Sequence, residues 1–187
     1  MKDYFEKVFA DILKRIANGE LRRKTIAAWE LAAVEGGWGK DDINKIPFTL
    51  LTETHGINLI EHTIAVTLGA AGLADSVLRS YERMPYDIDM DLLYAGGLLH
   101  DVGKLLEIEY RDGKYQKSHA GKCARHPISG AIIAARVGLP LEIINIVANH
   151  AKEGEGRPQR IETILIHQAD FATFDPLVMK QKGLLIE

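Results

Sequence analysis

The sequence predicts an all-α domain with one small β-hairpin inserted. Three observations lead there. Apolar residues recur at helical spacing along almost the whole chain. The period shifts to two only around "LEIEYRDGKYQKS", residues 106–118. The composition, 187 residues with 47% hydrophobic and 26% charged side chains, is that of an ordinary globular domain with room for a sizeable core.

Each element follows in order. Residues 3–17 set Phe5, Phe9, Ile12 and Ile16 on one helical stripe. Residues 21–34 repeat the pattern less sharply, and "GGWG" stops it. "DDINKIPFTL" reads as a loop or short helix. A long helix from 57 to 82 places Leu59, Val66, Leu73 and Val77 on one face. Asp87 or Asp89 caps the next helix, which ends near His100. Asp112-Gly113 turns the hairpin. Helices over 127–137 and 140–151 follow, "EGEGRP" breaks the chain, and a last helix runs over 160–174. Residues 1–50 read as an N-terminal helical extension and 51–187 as the main domain. The extension either packs onto that domain or pairs with a second copy, as a homodimer.

The net charge of −3 gives no basic surface for nucleic acid or a membrane. A single cysteine, Cys123, excludes an intrachain disulfide framework and suits a reducing compartment. The charged first residues make no signal-peptide core, and "TIAVTLGAAGLA" is too short to span a bilayer. The expected location is the cytoplasm.

The informative residues are polar ones in apolar phase. His62 shares the stripe of Leu59 and Val66. His100 and Asp101 end the run Leu92, Leu93, Gly96, Leu99. His150 follows Ile143, Ile146 and Val147, and Asp170 lies with Thr163, Ile166 and Phe174. His126 precedes Pro127, a favoured first helical residue. Singly, each reads as a hydrogen-bonded core histidine or a capping aspartate. Burying the whole set unpaired would cost several kcal/mol per group. One or two metal ions at which they converge resolve that cost. Imidazole and carboxylate donors suit Zn, Mn, Fe, Co or Ni, and the lack of cysteine ligands argues against a structural zinc cage.

The order His62, His100-Asp101, Asp170 resembles the H…HD…D signature of the HD superfamily of metal-dependent phosphohydrolases. "LLHDVGK" resembles its H-D-[IV]-G-K core, and "RHPISGA" and "NHAKEGEG" resemble the extra histidine segments of its two-metal members. The likeness covers roughly residues 55–175. It implies an HD/phosphodiesterase-like helical bundle. It also implies a first metal on His62, His100, Asp101 and Asp170, and a second on His126 and His150, with Asp101 bridging. Lys104 matches the lysine that contacts the scissile phosphate. "EGEGRP" stands where the cyclic-di-nucleotide phosphodiesterases of the superfamily carry Gly-Tyr-Pro.

The function so implied is hydrolysis of a phosphate ester or anhydride bond in a nucleotide by metal-activated hydroxide, with Asp101 and Lys104 as the catalytic pair. Three other readings stand beside it: a signalling module that binds nucleotide without turnover, a cyclic (di)nucleotide phosphodiesterase, and a one-metal deoxynucleoside triphosphate hydrolase. The helix beginning at Pro127 is expected to aim free N–H groups at the phosphate. Weaker candidates are His55, His119, His167, Arg125, Lys152, Arg157 and Cys123.

Overall fold

The structure is a computed structural model and describes residues 1–186. The first predicted stripe is present but broken. Helix α1 (Lys2–Val8) gives way to α2 (Ala10–Leu13) at Phe9, whose φ of −102° and ψ of 8° leave the helical region. Phe5, Phe9, Ile12 and Ile16 are nonetheless all buried. Helix α3 (Gly19–Glu35) starts where the Asn18 side chain accepts hydrogen bonds from the Glu20 and Leu21 amides. The short helix foreseen in the next segment is α4 (Lys40–Ile43).

Helix α5 (Leu59–Ser80) opens with a reciprocal capping box between Asn58 and Glu61. Its buried face runs through Leu59, His62, Val66, Ala70 and Ala74. Leu73, expected on that face, is 42% exposed. The final turns of α5 hold no buried residue and extend past the core's cover.

Asp89 caps α6 (Met90–Leu99) by accepting from the Leu92 amide. This helix is buried from Leu93 to Leu99, so its sequence is apolar all round rather than amphipathic. It contacts α3 and α5. After it come α7 (Lys104–Glu107), β1 (Ile108–Arg111) and β2 (Lys114–Lys117). The two strands pair antiparallel with Ile108 opposite Lys117. Asp112 and Gly113 both have positive φ, 53° and 78°, as the tight hairpin turn requires. Helix α8 (His119–Cys123), capped by Ser118, was not foreseen.

The chain then forms α9 (His126–Arg136), α10 (Leu141–Asn149), a 3₁₀ turn at Lys152–Gly154 and α11 (Ile161–Gln181). α10 and α11 complete the packing around α6. Helix α11 outruns the expected 160–174 and contains Pro176. The carbonyl that this proline cannot bond belongs to Ala172, which is exposed and open to water.

Residues 1–50 pack against the main body through directional contacts. Trp29, fully buried against the stacked Phe5 and Phe9 rings, donates from Nε1 to the Leu98 carbonyl at 2.8 Å. Trp38 Nε1 donates to the Leu105 carbonyl at 2.7 Å. The Ala17 and Asn18 amides donate to the Asp91 carboxylate, each at 2.7 Å. These bonds brace both sides of the turn that carries His100 and Asp101.

Candidate metal centre

Asp101 is fully buried in the turn after α6 and is the hub of the site. Its two oxygens face different partners. Oδ2 lies 3.3 Å from His62 Nε2 and 3.3 Å from His100 Nε2. Oδ1 lies 3.3 Å from His126 Nε2 and 3.7 Å from His150 Nε2. Asp170 Oδ1 approaches His62 Nε2 to 3.1 Å. The six residues form two groups, His62, His100 and Asp170 in one and Asp101, His126 and His150 in the other, each with its donor atoms within 4.8 Å of one another. Lys104 Nζ donates to Asp101 Oδ2 at 2.5 Å.

All four imidazoles are oriented the same way. His100 Nδ1 bonds the Gly97 carbonyl at 2.7 Å, and His150 Nδ1 bonds the Val147 carbonyl at 2.8 Å. His126 Nδ1 bonds the Glu107 carboxylate at 2.7 Å. The Thr173 hydroxyl donates to the Asp170 carbonyl and so accepts from His62 Nδ1, at 3.3 Å. Each Nδ1 therefore carries a hydrogen, and in its neutral form each ring turns an Nε2 lone pair inward.

Those lone pairs meet the lone pairs of Asp101. His62 Nε2, His100 Nε2, His150 Nε2 and Asp101 Oδ1 are buried without any hydrogen-bond partner. Lone pair facing lone pair at such distances is repulsive, and burying it is costly. A divalent cation between them removes both costs, so the donor set fits one. His100 and His150 also end α6 and α10, and the C-terminal ends of helices favour positive charge.

The charges agree with this arrangement. Burial opposes ionisation of Asp101, but the Lys104 ammonium and His100 outweigh it and hold its carboxyl well below the usual range. Burial likewise opposes ionisation of Asp170, and the close approach of His62 prevails, bringing it to about 2. Burial pushes His126 down to about 4 despite Glu107 beside it, so this ring is neutral near pH 7.

The HD-domain family model matches residues 59–172. The chain belongs to the HD-domain family. Among curated relatives, this HD protein is 34% identical to a dihydroneopterin 2′,3′-cyclic phosphate phosphodiesterase of Methanocaldococcus jannaschii over 116 residues, 61% of this chain and 45% of that one. It is 31% identical to ribonuclease Y of Thermosipho melanesiensis over 172 residues, 91% of this chain and 28% of that one. It is 32% identical to ribonuclease Y of Pseudothermotoga lettingae over 117 residues, 63% of this chain and 18% of that one. The HD chain thus spans less than half the length of each of these relatives. No solved structure matches it significantly. Among the described residues no helix is long and apolar enough to cross a membrane.

Beside the centre this HD domain opens a cavity of about 440 Å³, which Lys104, His126 and Asp170 help to line. Lys152, Arg125, paired with Glu153, and Lys117, paired with Glu107, also line it, and Leu50, Leu51, Ile108, Phe171 and Phe174 form apolar wall. Arg125 and Lys152 thus meet the cavity, whereas Arg157 does not line it. His55 is exposed beside Glu53, and His119 and Cys123 are exposed on α8. His167 reaches the centre indirectly, with Nδ1 on the His150 carbonyl at 2.7 Å.

The N–H groups expected at the start of α9 are already used. The His126 amide donates to Glu107, Pro127 has none, and the Ile128 amide donates to the Arg125 carbonyl. That helix end is no phosphate cradle. Three residues that matter were not singled out from the sequence: Glu107 and Thr173, which hold rings, and Phe48, whose ring stacks on His62 at 4.1 Å. Of these only Thr173 left a trace, lying one helical turn beyond Asp170.

Proposed function

We propose that this HD domain hydrolyses a phosphate ester or anhydride bond in a small phosphorylated compound of the nucleotide class, with two divalent ions. The observation that carries the reading is Asp101, one carboxylate whose two oxygens each face a pair of imidazole Nε2 atoms. Two ions held by these residues would supply an acidified water and stabilise the charge that develops in the displacement.

The chain's own residues do the rest. Asp101 fixes the spacing of two positions, one held with His62, His100 and Asp170, the other with His126 and His150. The Nδ1 partners keep each ring pointed inward. Lys104 stands at the cavity wall beside Asp101, where it neutralises a phosphate oxygen as charge develops. Arg125 and Lys152 orient the rest of the anion, and the apolar wall takes an organic group and excludes water.

A finer reading, a phosphodiester bond rather than an anhydride, draws on the relatives. The names of the phosphodiesterase and of ribonuclease Y both describe phosphodiester cleavage. The test is metal analysis of gently purified protein, followed by a screen with Mn, Fe, Co, Ni and Zn in reducing buffer. The substrates are nucleoside mono-, di- and triphosphates, 2′,3′-cyclic nucleotides and short RNA, with products separated chromatographically. Metal-dependent turnover of one class is the expected result. Tight nucleotide binding with no turnover under any of the five ions would replace the enzyme by the non-catalytic module.

A further inference from the structure

We infer that Glu107 is a positioning residue for the second metal position and that the β-hairpin is part of that position. The inference rests on the two-metal reading above. Among the four inward histidines, two anchor Nδ1 on a backbone carbonyl and one on a hydroxyl. His126 alone anchors it on a carboxylate. One oxygen, Glu107 Oε2, accepts from both the His126 amide at 2.6 Å and His126 Nδ1 at 2.7 Å. Two donors of one residue on one oxygen fix the main chain and the ring together, so the ring cannot rotate without breaking a bond.

Local sequence offers no substitute. Arg125, the N-cap of α9, makes no side-chain cap bond, and Pro127 has no N–H. Glu107 therefore supplies from 19 residues upstream what a capping side chain supplies elsewhere. It is itself held by the hairpin. Lys117 on β2 pairs with its Oε1 at 3.1 Å, and the Ser118 amide donates to its carbonyl at 2.9 Å. Both Glu107 oxygens are thus engaged, Oε2 by His126 and Oε1 by Lys117. A carboxylate behind a ligating histidine fixes its tautomer and raises its basicity, and removing such a partner typically weakens metal binding by about 10–100-fold.

The effect should be selective. The partners of His62 and His100 lie on α11 and α6 and do not involve the hairpin. Glu107→Gln leaves one acceptor oxygen where two donors and an ammonium now converge. Metal-stripped wild type and Glu107→Gln are titrated with Mn(II) by calorimetry, with free Mn(II) followed by paramagnetic resonance, and the titration is repeated with Zn(II). Circular dichroism and melting of the stripped proteins control for the fold. Glu107→Asp, one methylene shorter, serves if the glutamine variant does not fold. The expected result is two ions on wild type, and on the variant one ion at wild-type affinity with the other weakened about tenfold or more. Two ions bound with unchanged affinities by a folded variant overturn the role of Glu107 and leave the two-metal reading standing. Wild type that takes up fewer than two ions of either metal overturns both.

Discussion

Gly103 stands between Asp101 and Lys104, and replacing it with alanine tests how the turn and α9 are joined. Its φ of −66° and ψ of −15° suit any residue, so its backbone does not call for glycine. Space does. A Cβ at position 103 would lie 2.1 Å from the His126 carbonyl oxygen, 2.6 Å from the Gly130 amide nitrogen and 2.8 Å from Ser129 Oγ. The two closest are main-chain atoms, and ordinary contact begins at 3.4 Å. Gly103→Ala must therefore part α9 from the Asp101 turn by roughly 1 Å. Overpacking costs about 1–3 kcal/mol where side chains can yield. Here the backbone must move, so about 3 kcal/mol is expected. A metal–nitrogen bond is only about 2.0–2.1 Å long, so a shift of that size at His126 should also empty the second metal position. The assays are urea unfolding of the metal-free proteins and Mn(II) titration of both. Stability within about 0.5 kcal/mol of wild type, as for a neutral surface change, together with two ions at wild-type affinity, would refute the reasoning.

Three further outcomes follow from the same geometry. Lys104→Ala should retain both ions but slow turnover by about 10²–10³, the usual loss for one electrostatic donor, and wild-type kcat in the variant would remove Lys104 from the chemistry. Chelation should lower the melting temperature, because free ion at 100 times its Kd adds about 2.7 kcal/mol to the folded state, and identical melting of loaded and stripped protein would argue against a buried centre. In stripped protein His126 is held to about 4, against about 6.5 unfolded. The unfolded chain then binds the extra proton between those values, and this residue's contribution to stability falls as pH drops from about 6.5 to about 4. Urea unfolding across that range should show the slope in wild type and a shallower one in His126→Asn, and equal slopes would refute the assignment.

The polar residues that the fold brings together were legible because helical phase is local. Leu59, His62 and Val66 lie on one face whatever the rest of the chain does, and His100-Asp101 closes an apolar run that had to be buried. Three things were out of reach of that logic. Glu107 sits where the pattern is turning into an alternating strand, and its bond to His126 depends on how α7 and α9 meet. The free N–H groups expected at the start of α9 were wrong for the same reason, since the capping carboxylate arrives from another element. Leu73 is exposed although Ala74 beside it is fully buried, so it sits at the edge of the buried arc, whose width the stripe of apolar residues does not reveal. The N-terminal helices were legible as helices and not as buttresses, because the Trp29 and Trp38 bonds to α6 and α7 span 69 and 67 residues of chain.

The two groups of donors repeat one local device and differ in what is added to it. His100 and His150 each close a helix and return Nδ1 to the carbonyl three residues back. The bond satisfies a carbonyl that a helix end leaves unpaired and, in the same stroke, turns Nε2 inward. One such histidine faces each oxygen of Asp101. The additions are unequal. Asp170 brings a second carboxylate to the side of His62 and His100, while the other side gains only the neutral ring of His126, with Glu107 behind it. Formal charge close to a cation dominates its binding where water is excluded. On the two-metal reading, stripped protein should therefore fill in sequence, with the Asp170 side first. Asp170→Asn should abolish the tight step of a Mn(II) titration, and His150→Ala the weak one. A tight step that survives Asp170→Asn unchanged would mean that affinity follows the imidazoles rather than the carboxylates, and the order of filling would have to be reversed.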